Sequence, residues 1–210
     1  MNKLNIQDSA SSIARSLYDA MTAIEVYSSF KSYELHHEYD TQFEMYAQFF
    51  ESAANHAFIT FIVSMHKFID DKNSISIKKF CNKLNDSEAY NLDGNIISID
   101  ENKNSWKAII LFRQNLFGHS GCKLTEDEIY SRASVSRNDL TMEFYELYQP
   151  LIEILETVEN VYGSVKFLND VRGLKSKTKF NIKLLLRNMK AGRAARLEGK
   201  SLPFNDGGCN

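Results

Sequence analysis

Arg113 and His119 are the residues whose types and spacing could do chemistry in this chain. They lie in the segment Leu111-Phe112-Arg113-Gln114-Asn115-Leu116-Phe117-Gly118-His119-Ser120, where an apolar helical pattern meets a glycine and a histidine follows at once. Along an unbroken helix this spacing would turn the two side chains about 240° apart, onto different sides. Gly118 changes that expectation, because glycine enters the left-handed region without steric cost and lets the chain leave the helix. His119 can then fold back toward Arg113.

Arginine stays charged and offers a planar fork that matches phosphate. Histidine titrates near neutrality and moves protons. Together they suit cleavage of RNA through its own 2′-hydroxyl. His119 would withdraw or return a proton, and Arg113 would hold the phosphate and stabilise the charge that builds on it. The nucleophile is already attached to the substrate, so this chemistry calls for no metal and no cofactor. One histidine does not readily serve as both base and acid, so a second copy in a homodimer would help. The competing reading is a plain helix end, with a surface arginine and a histidine favoured by the helix dipole.

The elements that must position this pair are helical. The chain has 210 residues, 43% of them hydrophobic, enough for one good core. With 9 Gly and 2 Pro there is too little turn punctuation for a sandwich or a barrel. The net charge of -2 excludes a uniformly basic nucleic-acid coat and an acidic disordered chain. Cys81, Cys122 and Cys209 form no CxxC pair, which removes the usual support for a zinc site or a disulfide framework. No Gly-rich phosphate loop marks an ATP site. The N-terminal residues lack the apolar run of a signal peptide, and no stretch approaches the roughly 18 apolar residues of a membrane span. A cytoplasmic protein with no membrane partner is expected.

Apolar residues recur at three- and four-residue steps along most of the chain. Ile13, Leu17, Ala20, Ile24 and Tyr27 predict a first helix from Asp8 or Ser9 to about Tyr33. Glu34 to Asp40, with His36 and His37, reads as its connection. Phe43, Tyr46, Phe50, Ala54, Phe58, Phe61, Met65 and Phe68 predict a single long second helix, capped by Asp40 or Thr41. This aromatic stripe reads as core, and His56 and His66 on the same helix as structural or surface residues. Ile77 to Leu84 fits a short helix capped by Ser74 or Ser76, and residues 85–103 read as loop. Ser105 is expected to cap the helix that carries Arg113, and Leu124 to Arg137 is ambiguous. Asn138 or Asp139 is expected to start a long helix to Tyr162, kinked or broken at Pro150.

Composition shifts after Gly163. Residues 164–210 hold 11 Lys and Arg against 3 acidic residues, a local charge of +8 that leaves -10 on residues 1–163. A main domain over 1–163 and a basic helix with tail over 164–210 are therefore expected. Lys179, Lys183, Arg187 and Lys190 share one face of that helix, and Ile182, Leu185, Leu186 and Met189 another. The basic face could be solvated, contact RNA phosphates, or dock on the acidic body. A membrane-surface role has only a short apolar face to rest on.

An arginine, a polar residue, a few more positions and a histidine, at the end of a helix in an all-α chain, resembles the signature of the HEPN superfamily, and most of all the abortive-infection AbiU-type HEPN proteins. In that pattern four to six residues separate Arg and His, and five do here. The similar stretches include Phe68-Ile69-Asp70, Ser74-Ile75-Ser76-Ile77 and Leu111 to Ser120, and the resemblance covers about residues 8–162. It implies a helical bundle of four to five main helices that dimerises with both Arg–His pairs near the interface. It also implies metal-independent endoribonuclease activity in a toxin or phage-defence setting. A partner antitoxin, nucleotidyltransferase-like or other, would belong to that setting. Arg113 and His119 would be catalytic, with Gln114, Asn115 and Ser120 orienting them or contacting the RNA. Lys179, Lys183, Arg187 and Lys190 would be supporting RNA contacts. Active members often carry Asn, Asp or His after the arginine, where this chain has Gln114. A non-catalytic module binding RNA, nucleotide or a partner protein is the alternative.

Overall fold

The first apolar stripe becomes the spine of the molecule. Helix α1 (Lys3–Phe30) buries Ile6, Ala10, Ile13, Ala14, Leu17, Ala20, Met21, Ile24 and Tyr27. The computed structural model describes residues 3–69, 76–85, 103–117 and 124–198, and all regular elements among them are helical. The long second stripe forms α4 (Ala47–Ile69), which packs most extensively on α1. Tyr27 meets Phe58 and Phe30 meets Phe50, so the two helices run antiparallel. Further along the chain come α5 (Ile77–Asn85), α6 (Asn104–Phe117), α7 (Glu126–Ala133), α8 (Arg137–Tyr162), α9 (Leu168–Val171) and α10 (Leu174–Leu197). The long helices α1, α4, α6 and α8, joined by the basic α10, make the expected all-α architecture.

Several boundaries differ from expectation. α1 begins at Lys3 and ends at Phe30. Ser32 then caps a helical turn, α2 (Tyr33–Glu38), its hydroxyl accepting from the Leu35 N–H at 3.4 Å, where a plain connection was expected. Tyr39 and Tyr46, at φ -124° and -120°, flank a second turn, α3 (Asp40–Met45), so the expected single second helix is split in two. Asp40 and Thr41 do not cap it; the cap position is Tyr39, with no side-chain bond. A cluster of aromatic rings fills the corner: the His36 ring stacks on Phe43 with centres 3.9 Å apart, and Phe43 lies tilted against Phe50 at 4.6 Å between centres. His36 Nε2 also reaches the Phe30 carbonyl at 2.7 Å, satisfying one of the acceptors that a helix end leaves open.

Of the two candidate caps for α5, Ser76 accepts from the Lys79 N–H at 3.3 Å. Ser105 is not the cap of α6: it lies within that helix and its hydroxyl donates to Glu143 at 3.0 Å. Trp106 Nε1 donates to the same carboxylate at 3.1 Å, and Lys103 Nζ lies 3.3 Å from it. This arrangement ties the start of α6 to α8. α8 starts at Arg137, capped by Ser136, one or two residues before the expected start at Asn138 or Asp139, and it continues through Pro150 without a break. Pro150 and Glu146, whose carbonyl loses its usual donor, are both exposed, so solvent can take the donor's place. α8 ends at Gly163, whose φ of +97° requires glycine and whose Cα faces the Gln7 amide.

α7 and α8 both start in capping boxes. Thr125 pairs with Glu128, and Ser136 with Asp139, each side chain bonding the other residue's backbone N–H. The backbone and hydroxyl donors of Thr125 and Ser136 hold the Glu128 and Asp139 carboxyls below the usual carboxylate range. A carboxyl held down in the folded chain adds stability above its unfolded pKa, and loses it as pH falls through the folded value. Unfolding monitored from pH 6 downward is therefore expected to lose stability below about pH 4. The Glu128→Gln/Asp139→Asn double variant should show a shallower loss over that window.

The basic helix is integrated with the bundle. Leu174, Ile182 and Leu186 of α10 are buried in the same core as α1, against which α10 packs. Leu185, expected on the apolar face, is 44% exposed. The side of α10 that packs on the body is its apolar one, and the basic row stays exposed.

Candidate functional site

Phe112 anchors the helix that carries Arg113. Its ring meets Phe58 edge-on at 5.4 Å and Tyr130 at 5.2 Å, so α6 is fixed against α4 and α7 one residue before the arginine. Arg113 is half-buried in the last turns of α6, and Gln114 beside it is exposed.

Asn115 closes the described part of the site. Its Nδ2 donates to the Leu124 carbonyl at 2.7 Å, and the Leu124 N–H donates to its Oδ1 at 2.8 Å. Both ends of one side-chain amide are thus committed to one backbone residue. These bonds join the end of α6 to the approach of α7, and His119 and Ser120 lie between these points in sequence. His119 and Ser120 themselves are outside the described residues. Asn115→Ala would leave the Leu124 N–H and carbonyl without these partners, and should lower unfolding free energy by about 1–3 kcal/mol. Chemical denaturation measures this. Asn115→Asp keeps an acceptor for the N–H but sets an oxygen against the carbonyl, so it should not restore the full loss.

A second arginine, which sequence reasoning missed, sits next to this helix. Arg137, the first residue of α8, lies 5.0 Å from the Tyr27 ring centre and 5.4 Å from that of Phe58. Its guanidinium donates to the Glu126 carboxylate and, through Nε, to the Tyr130 hydroxyl at 3.4 Å. Burial works against its charge, but these bonds outweigh burial and push its pKa upward. Burial pushes the Tyr130 and Tyr27 phenols up as well, so both stay neutral at physiological pH. Arg137 is thus a charged group already paired with a carboxylate, on a wall of aromatic rings shared with Phe112. The signal that could have found its setting is the pair of Thr-x-x-Glu and Ser-x-x-Asp boxes that bracket α7.

The basic row is on another layer. Lys179, Lys183, Arg187 and Lys190 are exposed on α10, which packs on α1 and α3, whereas α6 packs on α4, α7 and α8. Lys190 is partly engaged, its Nζ 3.5 Å from the Glu38 carbonyl and 5.6 Å from the Tyr39 ring centre. Lys179, Lys183 and Arg187 form no ion pair with the described residues.

His56 is a surface residue, its Nδ1 2.7 Å from the Ser52 carbonyl. Among the described residues no three His, Cys, Asp or Glu side chains are grouped to share a metal ion, and no helix is long and apolar enough to cross a membrane. Comparison with known proteins finds no matching family, no matching curated protein and no matching solved structure.

Proposed function

We propose that the protein is a metal-independent endoribonuclease of HEPN type, acting as a homodimer in a toxin or phage-defence role. The observation that carries this reading is the construction around Arg113: a half-buried arginine at the end of a ring-anchored helix, followed by the Asn115–Leu124 pin. A fixed frame supports it because transition-state stabilisation depends on charge already aimed at the reacting group. Arg113 binds the scissile phosphate and stabilises its developing charge. His119 takes the 2′-hydroxyl proton or returns one to the leaving 5′-oxygen, and the second copy's histidine performs the complementary transfer. The attacking 2′-oxygen bonds to phosphorus as the bond to the 5′-oxygen breaks, leaving a 2′,3′-cyclic phosphate. The second pair would come with the other copy, and an antitoxin partner would restrain the enzyme.

The non-catalytic alternative has one specific support. Gln114 is exposed beside Arg113, at the position where active HEPN proteins often carry Asn, Asp or His. A module of this kind would bind RNA, nucleotide or a partner protein through the same groove. Incubation with total RNA in EDTA separates the readings. The wild-type protein should cleave and His119→Ala should not. Equal cleavage by His119→Ala would remove that histidine from the chemistry, and no cleavage by a correctly folded dimer would favour the module.

A further inference from the structure

The outward side of α10 carries a feature that the core does not require. Phe180 is 64% exposed and Leu184, one turn on, is 36% exposed. The opposite side of the same helix is satisfied: Leu174, Thr178, Ile182 and Leu186 are buried. A ring left in water on a helix already docked by its other face needs no packing role. Its neighbours are cationic. Lys179 and Lys183 stand beside it and Arg187 lies two turns on, in the same outward sector, all exposed. Steps of four residues set successive cations of this row about 6 Å apart along the axis.

We infer that this face of α10 binds single-stranded RNA, with a base stacked on Phe180 and the backbone phosphates held by Lys179, Lys183 and Arg187. An exposed aromatic ring set among cations is the combination by which single strands are held, since every base has a π-face to offer and every linkage a charge. A duplex offers Phe180 no open base face, because its bases are stacked on one another, and leaves only the phosphate contacts. Charge complementarity selects a polyanion: the basic segment carries +8 within a chain whose remainder is -10. A lipid surface fits less well. Leu185, also exposed, lies about 100° round the helix from Leu184, and along the outward line Arg187, Asn188 and Ala191 follow, so the apolar residues form no continuous strip for insertion. The inference rests on the proposed RNA substrate, and specifies its strand state.

Binding and cleavage are tested separately, so that each can fail alone. Full-length His119→Ala, used to prevent turnover, is titrated with a fluorescent unstructured RNA of about 12 nucleotides and with a duplex of equal length, between about 50 and 200 mM salt. The single strand should bind at least about tenfold more tightly, and adding Phe180→Ala should remove most of that preference, a change of about tenfold, with little effect on the duplex. Replacing Lys179, Lys183 and Arg187 with serine should weaken both and reduce the salt slope by about 2. These residues are exposed, so thermal unfolding should not move. Equal affinity for strand and duplex, or indifference to Phe180→Ala, overturns the inference. So does binding to phosphatidylserine vesicles, but not RNA, that depends on Phe180. Strand-selective binding by a protein whose wild type never cleaves would support the inference and sink the ribonuclease reading.

Discussion

On the proposed reading, alanine at His119 should lower RNA cleavage by about two to four powers of ten, the range that a positioned acid or base contributes. Arg113→Ala lowers it comparably, through loss of charge stabilisation on the phosphate. The two losses do not add. Once proton transfer is absent, a correctly held phosphate gains little, so the double variant falls only slightly below the weaker single variant. Thermal unfolding of both variants, compared with the wild type, separates a loss of chemistry from a loss of fold; Phe112 in its ring cluster and Trp106 on Glu143 hold α6 in either case. Initial rates on a defined single-stranded substrate, beside thermal unfolding, measure the pattern. Strictly multiplicative losses would mean that Arg113 and His119 act on separate steps or separate sites.

Trp106→Ala costs about 3–5 kcal/mol of stability, the largest effect expected of a single core change. Its side chain is fully buried, and its Nε1 donates to Glu143 at 3.1 Å, so truncation opens a cavity and strips one donor from a carboxylate that also serves Ser105 and Lys103. Trp106→Phe separates the parts, since it retains much of the ring volume and loses the N–H. It should cost less, with the lost hydrogen bond contributing about 1 kcal/mol. Urea unfolding with unchanged m-values would assign both losses to the folded state. A Trp106→Ala variant as stable as the wild type would mean that α6 is held to the bundle by Phe112 and its neighbours alone.

The helical stripes were legible because burial repeats at the helical period. Ile13, Leu17, Ala20, Ile24 and Tyr27, expected on one face from spacing, are all buried. An interruption between the first two stripes was legible, but the helical turn α2 within it and the break at Tyr46 were not. No glycine or proline marks them, and the dihedral angles of Tyr39 and Tyr46 accompany a cluster of His36, Phe43 and Phe50. Of the kink or break expected at Pro150, the break does not occur, because Pro150 and Glu146 are exposed and solvent can take the place of the lost donor. At the candidate site, spacing set Arg113 in the last turns of a helix, where α6 holds it. The Asn115–Leu124 pin left no trace in spacing, since side-chain bonds to backbone nine residues away follow no period. Arg137 went unnoticed because its partners, Tyr27, Phe58, Glu126 and Tyr130, come from three other helices.

The most direct test of the central claim is the chemistry of the new RNA ends. Purified wild-type protein is incubated with RNA in EDTA, and the 3′ ends of the fragments are identified by their sensitivity to phosphatases that do or do not open cyclic phosphates. Attack by the 2′-hydroxyl predicts 2′,3′-cyclic phosphate at the new ends, absent with Arg113→Ala and His119→Ala. Fragments ending in a free 3′-hydroxyl, or cleavage that appears only when a divalent cation is restored, would contradict it.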